Sequence, residues 1–350
     1  MKLNTIILMY MLIIGSVYAT GTQSNILKTT FTGEQTSVAQ EINVSEVMSL
    51  GEENKALKAR IKKLKAELAK YKKDTIATEA AEIKQSAKAM EFPKKVFKGK
   101  KLVLGGKVPK ELTTYYVANP QTIDGLKEKL KANGFTVLAT SEIFNGKMVI
   151  TITNDELKKT NTFVATLQVL VNGEEEVRVQ NPSYFGAAYL QKKYRYGQFT
   201  ETLKALQAAL GDMYATDEKF ELDDLAGYHF MFGMPYLDDT ITVAQGNALL
   251  SKVTSKKASK YVAYTLQLPN GTTIVGHKLR SQTNKFLQKI KVERNANILP
   301  YETMIKDRKA VMLDPKYYLA LSLPLLNMGD FMKISSAPGE IEKDIKRAYK

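Results

Sequence analysis

Between residues 44 and 74 the apolar positions fall at coiled-coil spacing. Val47, Asn54, Ile61 and Leu68 stand seven apart, and Leu50, Leu57, Leu64 and Tyr71 form a second set three residues on. These are the a and d positions of four heptads, a seam roughly 40 Å long. An Asn at a with Leu at d favours a two-stranded, in-register pair, because two Asn side chains satisfy one another only in that alignment. In a parallel pair Glu53 and Glu67 face Lys58 and Lys72 of the partner subunit, while Arg60 against Lys65 is repulsive; an antiparallel pair sets the cations of Lys58, Lys65 and Lys72 against one another. The pattern therefore predicts a parallel dimer, shortened at Gly51, which costs about 1 kcal/mol relative to Ala inside a helix. A single amphipathic helix lying on its own domain is the alternative reading of the same stripe.

Beyond residue 113 the periodicity changes to that of a mixed domain. "TTYYVANPQTIDGLKEKLKANGFTVLATSEI" reads strand, helix, strand, with Thr122 as N-cap, an apolar face of Ile123, Leu126 and Leu130, and Gly134 as the stop. Two alternating strands flank the Asn172-Gly173 turn and two more flank Asn270-Gly271, both strong hairpin signals. "FTETLKALQAALGD" is a further helix, read with Thr200 as cap and Gly211 as stop. The expected class is α+β: an N-terminal coiled-coil helix, then one or two mixed domains with largely antiparallel sheets.

A short internal repeat supports two units. "NPSYFGAAYL" at 181–190 aligns without gaps with "DPKYYLALSL" at 314–323, matching Pro182 with Pro315, Tyr184 with Tyr317 and Ala187 with Ala320. Each copy follows a strand pair, which predicts related halves; an Asx-Pro exit from a strand, a common local solution, is the competing explanation.

The chain opens with Lys2, an apolar run from Ile6 to Ile14 and a small-residue ending at Ala19, the layout of a secretory signal peptide cleaved after Ala19. The run is about half the roughly 20 residues a membrane span needs. The reading thus becomes signal peptide 1–19, flexible linker 20–43, coiled coil 44–74, basic helix and linker 75–112, an α+β domain 113–260 and a second, related α+β unit 261–350. With no cysteine, disulfides, thiolate metal sites and Cys-His catalysis are excluded. A periplasmic location fits both features.

Net charge is +15, but it is unevenly placed. Residues 55–110 hold 18 Lys and Arg against 5 Asp and Glu, while residues 1–54 are net negative and residues 111–350 carry only +5. The basicity belongs to the arm, and export removes intracellular nucleic acid as its partner. An anionic envelope surface is the expected counterpart if the lysines do more than solvate the helix.

On "TIDGLKEKLKANGFTVLAT" and the Asn-Pro turn of "VQNPSYFGAAYL", residues 113–210 resemble the bacterial domain-of-unknown-function family numbered 302. The resemblance implies an α+β fold with an antiparallel sheet and a tendency to associate; it implies no activity, so no catalytic residue is carried over. Residues 211–260 form an insertion relative to that family's compact pattern.

Candidate chemistry is sparse. "GKKLVLGGKV" fails as a phosphate loop, having Lys101 where Gly is required and Val108 in place of Ser or Thr. The acidic run Asp217, Glu218, Glu221, Asp223 and Asp224 lacks calcium-loop spacing and reads as a solvated loop. In "GYHFMFGMPYLDD", a strand would put His229 and Met231 on one face with Met234 nearby, a soft set suited to Cu(I); Phe230 and Phe232 on the other face argue instead for a buried strand. No cofactor is called for. The expected function is a non-enzymatic exported binding or scaffold protein that self-associates through its coil. An envelope hydrolase using carboxylates, or a copper or haem handler at His229, Met231 and Met234, are the alternatives.

Overall fold

The computed structural model describes residues 53–70, 92, 94–144, 146–173 and 175–350. The chain divides into two compact units, residues 1–80 and 81–350. In the first unit, residues 53–70 form helix α1, along which Ile61 and Leu68 are half-buried while Leu57 and Leu64 stand 52% and 47% exposed. Val47, Leu50 and Tyr71 of the predicted seam lie outside the described residues, as do the predicted signal peptide and linker.

In the second unit the basic residues 94–110 run largely without regular structure, bridged at Lys101 to Tyr214. Strands β1 (Glu111–Thr113) and β2 (Tyr115–Ala118) lead into helix α2 (Ile123–Ala132). Thr122 caps α2 through Gly125 N, as the sequence predicts, and Leu126 and Leu130 are its buried face. Strands β3 (Thr136–Phe144) and β4 (Lys147–Thr153) form a hairpin, followed after a 3-10 turn at Phe163–Ala165 by β5 (Leu167–Asn172) and β6 (Glu176–Gln180). Helix α3 (Pro182–Leu190) is buried along nearly its whole length. Helix α4 (Thr200–Leu210) then packs on α2. Thr200 is its first helical residue and not its cap; its hydroxyl bonds back to Gly197 O at 2.7 Å. Strands β7 (Tyr214–Ala215) and β8 (Lys219–Glu221) complete this half.

The second half comprises β9 (Thr240–Gln245), α5 (Leu249–Thr254), β10 (Val262–Gln267), β11 (Thr273–His277), β12 (Tyr301–Lys306), β13 (Lys309–Leu313) and α6 (Pro315–Ser322). Helices α7 (Met328–Lys333) and α8 (Ala337–Ile345) follow.

Sheet topology reveals a repeat far longer than the ten aligned residues. The first sheet runs β3-β4-β5-β6-β2-β7 and the second β10-β11-β12-β13-β9, with every pairing antiparallel. With Pro182 set against Pro315, the registers coincide across five strands. Val179 pairs Val169 and Tyr116 in one sheet; Met312 pairs Thr303 and Ile241 in the other. Val169 pairs Ile150, which pairs Thr140; Thr303 pairs Val275, which pairs Thr265. The helix caps repeat too, since Asn181 and Asp314 each accept from the backbone N–H two residues on, with Pro at the first helical position.

The match corrects one boundary. Strand β9, placed by sequence in the 113–260 domain, is the counterpart of β2 and belongs to the second sheet, because in each motif the first strand pairs with the last, β2 with β6 and β9 with β13. A single main hydrophobic core runs through both halves. The halves are also tied by hydrogen bonds: the Tyr115 and Tyr184 hydroxyls donate to Ser322 O and Leu321 O, both at 2.8 Å, occupying carbonyls that the end of α6 leaves without helical partners.

Candidate functional site

One buried polar cluster lies where the two larger sheets meet. Glu302 on β12 stands opposite Gly276 on β11, and Gly276 stands opposite Tyr264 on β10. A Cβ on Gly276 would come 2.1 Å from the Tyr264 ring, so this glycine makes room for the ring to lie across β11 toward Glu302. The Tyr264 hydroxyl donates to Glu302 Oε1, and so does the hydroxyl of Thr166, which the turn at Phe163–Ala165 delivers from the first half. Gln168 on β5 reaches the same tyrosine, its Nε2 lying 3.4 Å from Tyr264 Oη. Two hydroxyls from different halves thus converge on one carboxylate oxygen.

Around this group is a cavity of about 20 Å³ lined by Thr166, Gln168, Gln180, Glu302 and the rings of Phe163, Phe185, Tyr189 and Tyr318. A second cavity of about 10 Å³ adjoins Glu302 beside Tyr301 and Leu313. Such volumes hold about one water, so the seam is essentially filled by side chains. Neither lining includes Lys, Arg or His. Burial consequently pushes the Glu302 carboxyl up to about 7, and the Thr166 and Tyr264 hydrogen bonds recover only part of that penalty. The arrangement can exchange one proton near neutral pH. It does not form the carboxylate pair that glycoside cleavage requires, since the position equivalent to Glu302 is Gln168.

Two further polar groups are buried in the body. Arg178 on β6 is buried and forms an ion pair with Glu218, with its guanidinium 4.7 Å over the Tyr115 ring. Glu218 Oε1 also accepts from Asn295 Nδ2 at 2.7 Å, linking a loop of the first half to the 3-10 segment Glu293–Ile298 of the second. Glu218 is therefore not part of a solvated acidic loop, although Asp223 and Asp224 are exposed as expected. His277 is buried on β11 with Nε2 2.9 Å from Thr303 Oγ1, and burial holds its imidazole down at about 3.

His229, Met231 and Met234 do not lie on a strand. Residues 226–239 run through bends and turns, with Met234 N donating to Met231 O at 3.0 Å. Gly233 at φ +78 reverses the chain where a strand would have to continue. The strand alternation that put His229 and Met231 on one face is thereby removed. The His229 ring instead lies against Tyr236, with centroids 4.6 Å apart; Phe230 packs on Phe331 and Phe232 is fully exposed. Among the described residues no group of three His, Cys, Asp or Glu side chains could hold a metal ion.

Sequence reading missed Glu302, Tyr264 and the Arg178–Glu218 pair. Extending the repeat backward from Pro182 and Pro315 would have aligned Gln168 with Glu302 once the hairpin in the second half was shortened by one residue. Among the described residues no helix is long and apolar enough to cross a membrane. No protein-family model, curated protein or solved structure matches this chain.

Proposed function

We propose that this is an exported, periplasmic binding or scaffold protein that self-associates through a parallel coiled coil and presents a duplicated α+β body. In this reading the signal peptide is cleaved after Ala19, and kinship of the body with the family numbered 302 is part of the proposal. The observation that carries it is the apolar stripe of α1, where Leu57 and Leu64, alternating with Ile61 and Leu68, remain about half exposed. Burying such side chains against a second helix gains about 25 cal/mol for each Å² removed from water, which an isolated helix forgoes. Exposed lysines along α1, including Lys58, Lys62 and Lys65, would keep the outer surface of the coil solvated and offer positive charge to an anionic envelope surface.

Sedimentation of the chain from residue 20 onward, with and without residues 44–74, tests the reading. A dimer that becomes monomeric, or at least tenfold weaker, on deletion supports it; monomers in both cases overturn it.

A further inference from the structure

Comparison of the halves exposes a place that is filled in one and bare in the other. In the first half β2 is covered on its outer edge by β7, through the pairs Tyr116 with Ala215 and Val117 with Tyr214. The register equivalents of Tyr116 and Val117 are Ile241 and Thr242 on β9. Strand β9 ends its sheet, and β13 is its one strand neighbour among the described residues. Burial follows this difference: all four residues of β2 are buried, whereas Thr240, Thr242 and Gln245 of β9 are exposed.

An edge strand presents a row of backbone donors and acceptors ready to pair with another strand, and proteins usually block it with charge, proline or distortion. Thr240–Gln245 reads Thr-Ile-Thr-Val-Ala-Gln, rich in β-branched residues, with neither a charge nor a proline. A register shift between Ala310 and Val311 leaves Val243 as the extra residue of a bulge. The bulge limits the regular edge to Thr240–Thr242, which includes the two positions whose counterparts hold β7.

We propose that this edge is a self-association surface, at which Thr240–Thr242 of two copies pair antiparallel about a twofold axis. Charge permits a second copy as partner and sets the direction. The strand is uncharged, so a second copy brings no repulsion along it; Asp238 and Asp239 flank one end only, so antiparallel pairing separates the acids that parallel pairing would set side by side. An isologous contact of this kind closes with two copies. A parallel coiled coil is likewise twofold, so one dimer can contain both contacts. The inference rests on the coiled-coil reading only for the local concentration the coil supplies.

The chain from residue 20 onward contains no cysteine, which makes single-cysteine cross-linking unambiguous. Thr242→Cys is compared with Glu128→Cys, an exposed position on α2, using a short bismaleimide. Covalent dimer should form about tenfold faster at position 242, and this ratio should persist when Leu57→Lys and Leu64→Lys remove the coil. In that coil-free background Thr242→Lys should raise the dimer dissociation constant about tenfold or more by sedimentation, at unchanged melting temperature. Equal cross-linking at the two positions, or a dissociation constant indifferent to Thr242→Lys, overturns the proposal. The coil reading fails separately, if adding Leu57→Lys and Leu64→Lys to the Thr242→Lys chain leaves its dissociation constant unchanged.

Discussion

Gln168 on β5 and Glu302 on β12 occupy one position of a repeated fold, and both reach the hydroxyl of Tyr264. One half carries a neutral amide there and the other an acid raised from 4.5 to about 7. Because the folded acid holds its proton to higher pH than the unfolded one, the folded state binds more protons between those values. Stability contributed by Glu302 is therefore greatest below about pH 4.5 and is lost as pH rises through 7. Glu302→Gln keeps an acceptor for Thr166 and Tyr264 while removing the charge. It should be more stable than the parent by about 2 kcal/mol at pH 8, a figure discounted because the Glu302 side chain is only half-buried, and no more stable at pH 4.5. Urea unfolding across this range measures the difference.

His277 works in the opposite direction. Its unfolded imidazole takes up a proton near 6.5, but the buried one does so only near 3, so stability present above 6.5 is lost as pH falls toward 3. Between about 4.5 and 6.5 the two groups oppose each other and their pH trends should largely cancel. In Glu302→Gln that compensation disappears, and unfolding free energy should rise with pH by up to about 1.4 kcal/mol per unit over this window. Adding His277→Gln should flatten the slope again. A slope that survives the second substitution would assign it to other groups.

Local chemistry carried much of the fold. The Thr122 cap, the Gly134 and Gly211 stops, and the strand pairs around Asn172-Gly173 and Asn270-Gly271 stand where sequence put them, because each depends on neighbours within a few residues. The segment around His229 misled because alternating Phe residues imitate a strand, whereas Gly233 and Pro235 divert the chain and Phe230 finds its partner on α7. Strand β9 was hidden in what read as an insertion, since its identity comes from pairing with β13 more than sixty residues away. The cluster at Glu302 was legible only in part: the repeat could align Gln168 with Glu302, but Thr166 and Tyr264 are brought to it by sheet register and the meeting of the halves, which no spacing along the chain encodes.

The Arg178–Glu218 pair should be a larger stability determinant than any surface ion pair. Arg178→Met leaves Glu218 buried with Asn295 and, at 3.7 Å, Arg294 as its remaining partners. Breaking one side of a buried pair costs about 3–5 kcal/mol. Glu218→Gln in the same chain should recover part of that loss, because no charge is then stranded. Thermal unfolding of the two single variants and the double variant gives the coupling; additive losses would show that the two side chains act independently.

The repeat also predicts how Tyr264 is held. The first half places Ala139 opposite Thr151, and the second places Tyr264 opposite Gly276, so each cross-strand pair combines a larger side chain with a small one on the reverse strand. Gly276→Thr forces the new side chain into the Tyr264 ring and should cost about 1–3 kcal/mol through overpacking. Combining Gly276→Thr with Tyr264→Ala installs the pair of the first half and should relieve the strain, though Glu302 then loses one donor. The double variant is thus expected to be more stable than Gly276→Thr at about pH 5, where Glu302 is protonated, with the advantage shrinking toward pH 8 as the carboxylate ionises. Urea unfolding of both variants at the two pH values decides between this account and simple loss of the ring, which would leave the double variant the less stable at both.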